Sequence, residues 1–229
     1  MRYLLYWITA FFLVSMCCET FVQAGFTFPK TILYKESVNG NIMGNCEIKF
    51  RTGIEIDNQG LYWLKLSNFQ GFGYRSTDEV HTYIYPDLSL FDTQLKQNGK
   101  IIQEMRLQKH NSGNRRLIFR DMQKSEFSEL ELSSDHKVID FISSFILTSQ
   151  KAAKRNKNDE KLVFFFRRNT KIVNLIYQGL ATANFMGQTV ATEVWAIKYH
   201  NIELFRFNIF NDNGFAFPII ADFHNKFVP

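Results

Sequence analysis

The chain has 229 residues, of which 45% are hydrophobic and 21% are charged, and its formal net charge is +5. This composition is ordinary for a globular protein and excludes a disordered chain, which would lack enough apolar residues to form a core. The aromatic content is high, with 24 Phe, 9 Tyr and 3 Trp. We therefore expect either a thick aromatic core or an apolar cavity.

The first 24 residues have the pattern of a secretory signal peptide. Arg2 precedes an apolar run, Tyr3–Cys18, and Val22 and Ala24 place small residues at positions −3 and −1 of a cleavage site. The run is short for a membrane span, which needs about 20 residues. We expect export with cleavage after Ala24, which leaves a single β-rich domain of residues 25–229.

The number of cysteines indicates the cellular compartment of the protein. Cleavage would remove two of the three cysteines and leave only Cys46, so the mature chain could form no internal disulfide. The chain also has no Asn-x-Ser/Thr sequon. Both features fit the periplasm of a bacterial envelope. The alternative is a lipoprotein anchored at Cys17 or Cys18, which is disfavoured because Met16 or Cys17 stands where a small residue is wanted.

Alternating apolar and polar residues, bounded by turn signals, predict strands along most of the chain. Asn39-Gly40 is a two-residue hairpin signal, and Gln70–Tyr74 is a glycine-punctuated aromatic segment typical of a bulge or bend. The first predicted strands are Thr31–Ser37, Ile42–Phe50, Leu61–Phe69, Val80–Tyr85, Leu88–Lys96, Gly99–Lys109, Arg115–Asp121 and Phe127–Leu132. The later ones are Leu162–Arg167, Ile172–Tyr177, Ala181–Phe185, Thr189–Tyr199, Glu203–Phe210 and Ala216–Phe223.

One segment, Ser133–Arg155, has a helical pattern. Its apolar stripe recurs at i, i+3, i+4, i+7 and i+8, at Val138, Phe141, Ile142, Phe145 and Ile146. Side-chain oxygens at residues 133–135 are candidate N-caps. These patterns predict a mainly β fold, a large curved antiparallel sheet or incomplete barrel of about 10–12 strands with one packed α-helix. Whether the helix plugs the concavity or lids a cavity stays open.

The sequence gives little support for catalysis or metal binding. No pair among the five histidines has the i, i+4 spacing of a helical metal site, and Cys46 alone cannot form a thiolate cluster. There is no nucleophile elbow, P-loop or dinucleotide-binding glycine motif. Asp140 lies beside the apolar stripe, where a structural cap or ion pair is favoured over catalysis. We expect no enzymatic activity, no metal and no cofactor.

Basic residues form three clusters, at Arg115-Arg116 with Arg120, at Lys151–Lys161, and at Arg167-Arg168 with Lys171. Solvated loop charge is the simpler interpretation. The alternative is contact with an anionic envelope surface, such as lipid headgroups. Nucleic acid is not an expected partner, because the chain is expected to be exported and has no recognition motif.

Three short motifs resemble the bacterial exported family called DUF3108. They are Asn39-Gly40-Asn41-Ile42-Met43-Gly44, the helix start Val138–Ser143, and Phe217-Pro218-Ile219. This chain has Leu147-Thr148 where the family usually has an arginine. The resemblance implies a periplasmic β-rich protein with no established catalytic residues. The expected architecture is also similar to that of the lipoprotein carriers of the Gram-negative envelope.

The expected function is that of a non-enzymatic carrier, in which an aromatic concave face holds an apolar, lipid-like ligand under the helix. The candidate ligand contacts are Trp63, Phe141, Phe145, Trp195 and Phe207. The alternative is a structural or protein-interaction module of the envelope with a filled core. An aromatic-lined cavity of roughly 300 Å³ or more would favour the carrier.

Overall fold

A computed structural model of the chain describes residues 7–9, 11–12, 20–23, 26–38, 41–68, 78–109, 115–132, 136–166 and 169–224. The remaining residues are not described. They include the predicted hairpin turn Asn39-Gly40, the aromatic segment Gln70–Tyr74, the cap candidates at 133–135, Arg167-Arg168 and most of the expected signal peptide.

The described residues form eighteen strands and one helix in chain order. The strands before the helix are β1 (Trp7–Thr9), β2 (Phe11–Phe12), β3 (Thr20–Gln23), β4 (Phe26–Pro29), β5 (Thr31–Val38), β6 (Asn41–Ile56), β7 (Gln59–Ser67), β8 (Asp78–Ile84), β9 (Leu90–Gln97), β10 (Lys100–Lys109), β11 (Arg115–Asp121), β12 (Glu126–Leu132) and β13 (Lys137–Ile139). The helix is α1 (Phe141–Ala153). It is followed by β14 (Glu160–Phe166), β15 (Asn169–Phe185), β16 (Gln188–Tyr199), β17 (Ile202–Asp212) and β18 (Phe215–His224).

The strands form two large series. From β5 to β12 each strand pairs antiparallel with the next, and the same holds from β14 to β18. β13 lies parallel to β14, and β4 pairs parallel with β18 and so links the series. β1 pairs with β5 and β18, but it falls within the expected signal peptide. Bulges bend several of these pairs. Within the described residues β12 pairs only with β11 and β13 only with β14, so no ladder joins β12 to β13 and the barrel is not closed. The mainly β prediction, with one helix, is confirmed.

Two predicted strands, Ile172–Tyr177 and Ala181–Phe185, are parts of the single strand β15. The register against β16 shifts between Tyr177 and Gly179, and Gly179 has a φ of +119°. A side chain is strained at this φ, so glycine suits the position. The apparent break in the sequence is therefore a bulge that bends one strand.

The helix begins at Phe141, not at Ser133 as predicted. Val138, which falls on the apolar stripe by spacing, belongs to β13 and pairs with Val163 of β14. Asp140 is the N-cap. Its Oδ1 accepts from the Ser143 backbone N–H at 2.7 Å, and Ser143 Oγ accepts from the Asp140 N–H at 2.9 Å. This capping box satisfies two donors that a helix start leaves open, so the helix begins there.

α1 lies between the two series of strands. It contacts β17 and β18 on one side and β7 and β8 on the other, and almost all of its side chains are buried. Its polar face is buried as well, because hydroxyls bond to the carbonyls of the helix itself. Thr148 Oγ1 donates to the Ser144 carbonyl at 2.8 Å, and Ser149 Oγ donates to the Phe145 carbonyl at 2.7 Å. No helix in the described part of the chain has the length and apolarity that a membrane crossing requires.

Candidate functional site

Four of the five predicted ligand contacts meet inside the fold. The ring of Phe145 lies 5.3 Å from that of Phe141 and 5.2 Å from that of Phe207. Trp195 is fully buried and sits directly opposite Phe207 in the β16–β17 register. These residues form one aromatic cluster, as the sequence grouped them.

The aromatic cluster packs against both series of strands. Tyr34 of β5 lies 5.8 Å from Phe145, ring to ring, opposite the contact with β17. Tyr34 is itself buried and donates its hydroxyl to the Pro218 carbonyl of β18 at 3.2 Å. The helix therefore fills the space between the strands at this level. Cys46 of β6 is also buried, as is common for a cysteine that packs as a small apolar side chain.

The fifth predicted contact, Trp63, is not in this cluster. Its neighbours Leu64 and Leu66 on β7 face the core, while Trp63 is half-buried on the outer face. There its indole N–H donates to Nδ1 of His81 at 3.2 Å, and the Arg51 guanidinium lies 5.3 Å from its ring centroid. Successive side chains of a strand point to opposite faces of the sheet, so when Leu64 and Leu66 face the core, Trp63 lies on the outer face.

His81 has both ring nitrogens in use. Because Nδ1 accepts from Trp63, the proton is assigned to Nε2, which donates to Glu79 Oε2 at 3.1 Å. Burial lowers the pKa of His81, and the hydrogen bond from Lys65 lowers the pKa of Glu79. This chain of contacts leaves no ring nitrogen of His81 for a metal. No group of metal-binding side chains occurs among the residues that the structure describes.

Asp140 joins the helix to the first series of strands. Its Oδ2 accepts from Thr82 Oγ1 at 2.6 Å and from Thr93 Oγ1 at 2.8 Å, while Oδ1 caps α1. Both oxygens of this buried carboxyl are thus engaged in structural bonds. The cap that the sequence favours is present.

A groove of mixed polar and apolar lining lies on the outer face of β9 and β10, and sequence reasoning missed it. We call it the outer groove. It has a volume of about 580 Å³, and its lining includes Asp57, Gln59, Tyr85, Phe91, Arg106 and Gln108. A smaller recess of about 210 Å³ continues along β10 and shares Arg106 and Gln108 with it.

Arg106 stands at the centre of the outer groove. Its terminal nitrogens lie 3.5 Å from Asp57, 3.6 Å from Asp92 and 3.7 Å from Glu104. These separations exceed the 2.7–2.9 Å that is usual for charged hydrogen bonds. The guanidinium also lies 5.3 Å from the ring centroid of Phe91. Arg106 is therefore held near three carboxylates at distances longer than usual, although its hydrogen bond to Asp92 still acts to lower the pKa of that carboxyl.

Asp92 lies directly beneath Arg106, as its partner in the β9–β10 register. Its side chain is 1% exposed, and Gln94 donates to Oδ2 at 2.8 Å. Asp92 Oδ1 and Arg106 Nε are buried without a hydrogen-bond partner among the described residues. Burial raises the pKa of Asp92 to about 6, and the charge of Glu104 adds to the effect. An imperfectly satisfied charged pair with a shifted pKa is typical of a functional surface.

We expect the contribution of Asp92 to the free energy of unfolding to fall as the pH rises from about 4 to about 6. The folded state keeps the Asp92 proton in this window, with a pKa of about 6 against an ordinary 3.8. The unfolded chain binds fewer protons in this window, so raising the pH favours unfolding. The contribution of Asp92 to the free energy of unfolding falls by up to about 3 kcal/mol, and the fall levels off above pH 6. The titratable and charged groups that face the Asp92 carboxyl are Tyr83, Glu104 and Arg106.

Urea unfolding of the wild type and of Asp92→Asn between pH 4 and pH 8 measures this effect. The amide does not titrate, so the variant should gain stability relative to the wild type as the pH rises. Asp57→Asn removes an exposed carboxyl beside the same arginine and serves as the control. Parallel curves for the wild type and Asp92→Asn would contradict the expected titration.

Some residues of the predicted basic clusters are paired within the protein, whereas Lys154, Arg155, Lys157 and Lys161 are exposed. Arg116 lies 3.0 Å from Glu131, and Arg120 lies 3.7 Å from Glu104. Lys151, expected in a polar surface loop, is instead buried on α1 and lies 3.0 Å from Glu160. Such pairing reduces the positive potential and does not support contact with an anionic surface.

Comparison with models of protein families, with curated proteins and with solved structures finds no match to this chain. The similarity to the DUF3108 family therefore stays an expectation from the three short motifs.

Proposed function

We propose that this protein is a non-enzymatic interaction module of the bacterial envelope, with a filled core and a working outer surface. The observation that carries the proposal is the burial of α1 on both faces, between the two series of strands. A helix that served as a lid would keep one face toward solvent or toward a ligand space.

A carrier of an apolar ligand needs room where the aromatic cluster now lies. Phe141, Phe145 and Phe207 pack ring against ring there, at centroid distances of 5.2 and 5.3 Å. Opening that space would require α1 to leave, with loss of the Asp140 bonds to Thr82 and Thr93. The cost of exposing so many buried side chains favours the filled core.

The envelope location rests on the signal-peptide pattern and on the resemblance to an exported family. Both are features of the sequence. If they are correct, the mature chain begins at Gly25, and N-terminal sequencing of protein recovered from a periplasmic extract should read Gly-Phe-Thr-Phe-Pro. A chain retained in the cytoplasm with its first 24 residues would contradict the location.

Two measurements on protein from its own envelope test the filled core. Native mass spectrometry should return the mass of the chain without bound lipid, and a fluorescent fatty acid should show no saturable uptake. Crosslinking in intact cells followed by affinity purification should recover one defined partner in reproducible yield. A stoichiometric co-purified lipid would favour the carrier instead, and recovery of abundant porins alone would count against a specific partner.

A further inference from the structure

The size and course of the outer groove suit an extended ligand. Its volume of about 580 Å³ lies within the usual range of ligand sites, which is roughly 300–1,000 Å³. The recess of about 210 Å³ continues it along the same strand, past Arg106 to Arg120. A ligand that runs along β10 would occupy both spaces, so a chain of several units fits better than one small molecule.

Arg106 offers hydrogen-bond donors to this groove in a fixed plane. Its guanidinium carries five N–H groups, and the Phe91 ring supports it at 5.3 Å. The surrounding carboxylates lie 3.5–3.7 Å away, too far for good hydrogen bonds. A ligand oxygen that accepts from this guanidinium would therefore add shorter and better-directed bonds to the long ones that the protein supplies.

The charges around the groove select against an ionic ligand. Asp57 and Glu104 line the same surface as Arg106 and Arg120, and Asp92 lies beneath. An anion in the groove would be repelled by the carboxylates, and a cation would be repelled by the guanidinium groups. A neutral ligand with both donors and acceptors matches the mixture without an uncompensated charge.

Three other lining groups have the same dual character, whereas Leu107 and Ile118 are apolar. Gln59 and Gln108 are exposed, and each side-chain amide both donates and accepts. Tyr85 adds an aromatic body with a polar tip. Strand addition by a peptide is disfavoured, because β9 and β10 are already paired on both edges.

We propose that the outer groove binds a neutral oligosaccharide, with Arg106 as its central donor. A sugar hydroxyl both donates and accepts, so vicinal hydroxyls can bond to the arginine fork and to Asp57 or Glu104 together. The inference deepens the proposed function, since it assigns a ligand class to the outer surface on which that function rests.

The test uses the full mature chain and four neutral hexasaccharides of glucose (α-1,4 and β-1,4), of mannose and of N-acetylglucosamine. Titration calorimetry, with ¹⁵N-resolved NMR to locate the contact, should show at least one binder with a dissociation constant on the order of 0.1–1 mM, as befits an open, wet site. A hexapeptide of Gly and Ser and a hexamer of galacturonic acid serve as the competing ligand classes.

Substitutions then locate the site. Arg106→Met should weaken binding about ten- to a hundredfold, because a hydrogen bond to a charged group is lost. Gln108→Ala, at an exposed position, should weaken it about two- to tenfold without affecting folding. Arg206→Met is the control. Arg206 is an exposed arginine of β17 that pairs with Glu203 outside the groove, so its removal should leave binding unchanged.

The proposal is overturned if no hexasaccharide binds, if the peptide or the acidic hexamer binds instead, or if Arg106→Met and Gln108→Ala both bind as the wild type does. NMR shifts confined to residues outside β6–β11 would overturn it as well. A crosslinked protein partner in the absence of oligosaccharide binding would remove this inference alone. A lipid in the core would remove the proposed filled core alone.

Discussion

Phe145→Ala should lower the free energy of unfolding by about 3–5 kcal/mol, the usual cost of truncating a buried phenylalanine. Phe145 is buried, and its ring contacts Tyr34 of the first series and Phe207 of the second. Removing it should leave a cavity where the two series meet, and neither side can collapse onto the gap without moving the helix. Chemical denaturation at pH 7 measures the loss.

Phe127→Ala provides the matched control, because Phe127 is 58% exposed on the edge strand β12. Its truncation should change stability by about 0.5 kcal/mol or less. The comparison also tests the filled core. If the interior of the fold were a ligand space, Phe145 would already border a cavity and would make fewer contacts. Its truncation would then lower the free energy of unfolding by only about 1 kcal/mol.

Asp140→Ala should lower the free energy of unfolding by about 3 kcal/mol. The change removes the N-cap of α1, which is worth about 1 kcal/mol, and leaves two buried threonine hydroxyls without their acceptor. Thr82 and Thr93 lie 3.3 Å apart, oxygen to oxygen, and can bond each other, which limits the loss. Urea denaturation measures the total loss of stability, and circular dichroism measures the loss of helix content that follows from removing the cap.

Asp140→Asn separates the cap from the threonine bonds. The amide oxygen can still accept from the Ser143 N–H, whereas the amide nitrogen replaces an acceptor with a donor and requires the threonine hydroxyls to turn. We expect a loss of about 1 kcal/mol, well below that of alanine. Asp159→Ala, in the exposed loop after α1, is the neutral control. Equal losses for both Asp140 variants would show that the cap contributes little.

The strand series illustrates what local pattern can predict. In β6 the buried residues Cys46, Ile48 and Phe50 alternate with less buried Glu47 and Lys49, as the sequence indicates. Each strand that packs one face on the core carries this two-residue period by itself, so its place in the chain can be read without its neighbours. The sequence also grouped Phe141, Phe145, Trp195 and Phe207, as candidate ligand contacts, and these residues lie together inside the fold.

The helix start shows where local pattern misleads. Val138 fits both a helical stripe and an extended strand, and its pairing with Val163 of β14 decides for the strand. That pairing is not local information. The capping box at Asp140 and Ser143 was visible as residues three apart, and it marks the true start of the helix more reliably than the apolar spacing.

The outer groove depended on tertiary structure in a different way. Asp92 and Arg106 become partners only through the register of the β9–β10 hairpin, which includes a shift between Ile101 and Gln103. The turn at Asn98-Gly99 indicated the hairpin, but a one-residue change of register would move Arg106 away from Asp92. Asp57 reaches the same arginine from the β6–β7 turn, and the register of these two strands shifts between Arg51 and Ile54.

By itself the sequence determined most of the strands, the presence of one helix and the aromatic character of the core, because these follow from local periodicity and composition. The tertiary structure alone decided that the helix fills the concavity. It also decided that Trp63 faces outward and that Arg106 stands over a buried carboxyl. The physical reason is that burial of a second face, strand register and bulges depend on partners distant in the chain, and no local period records them.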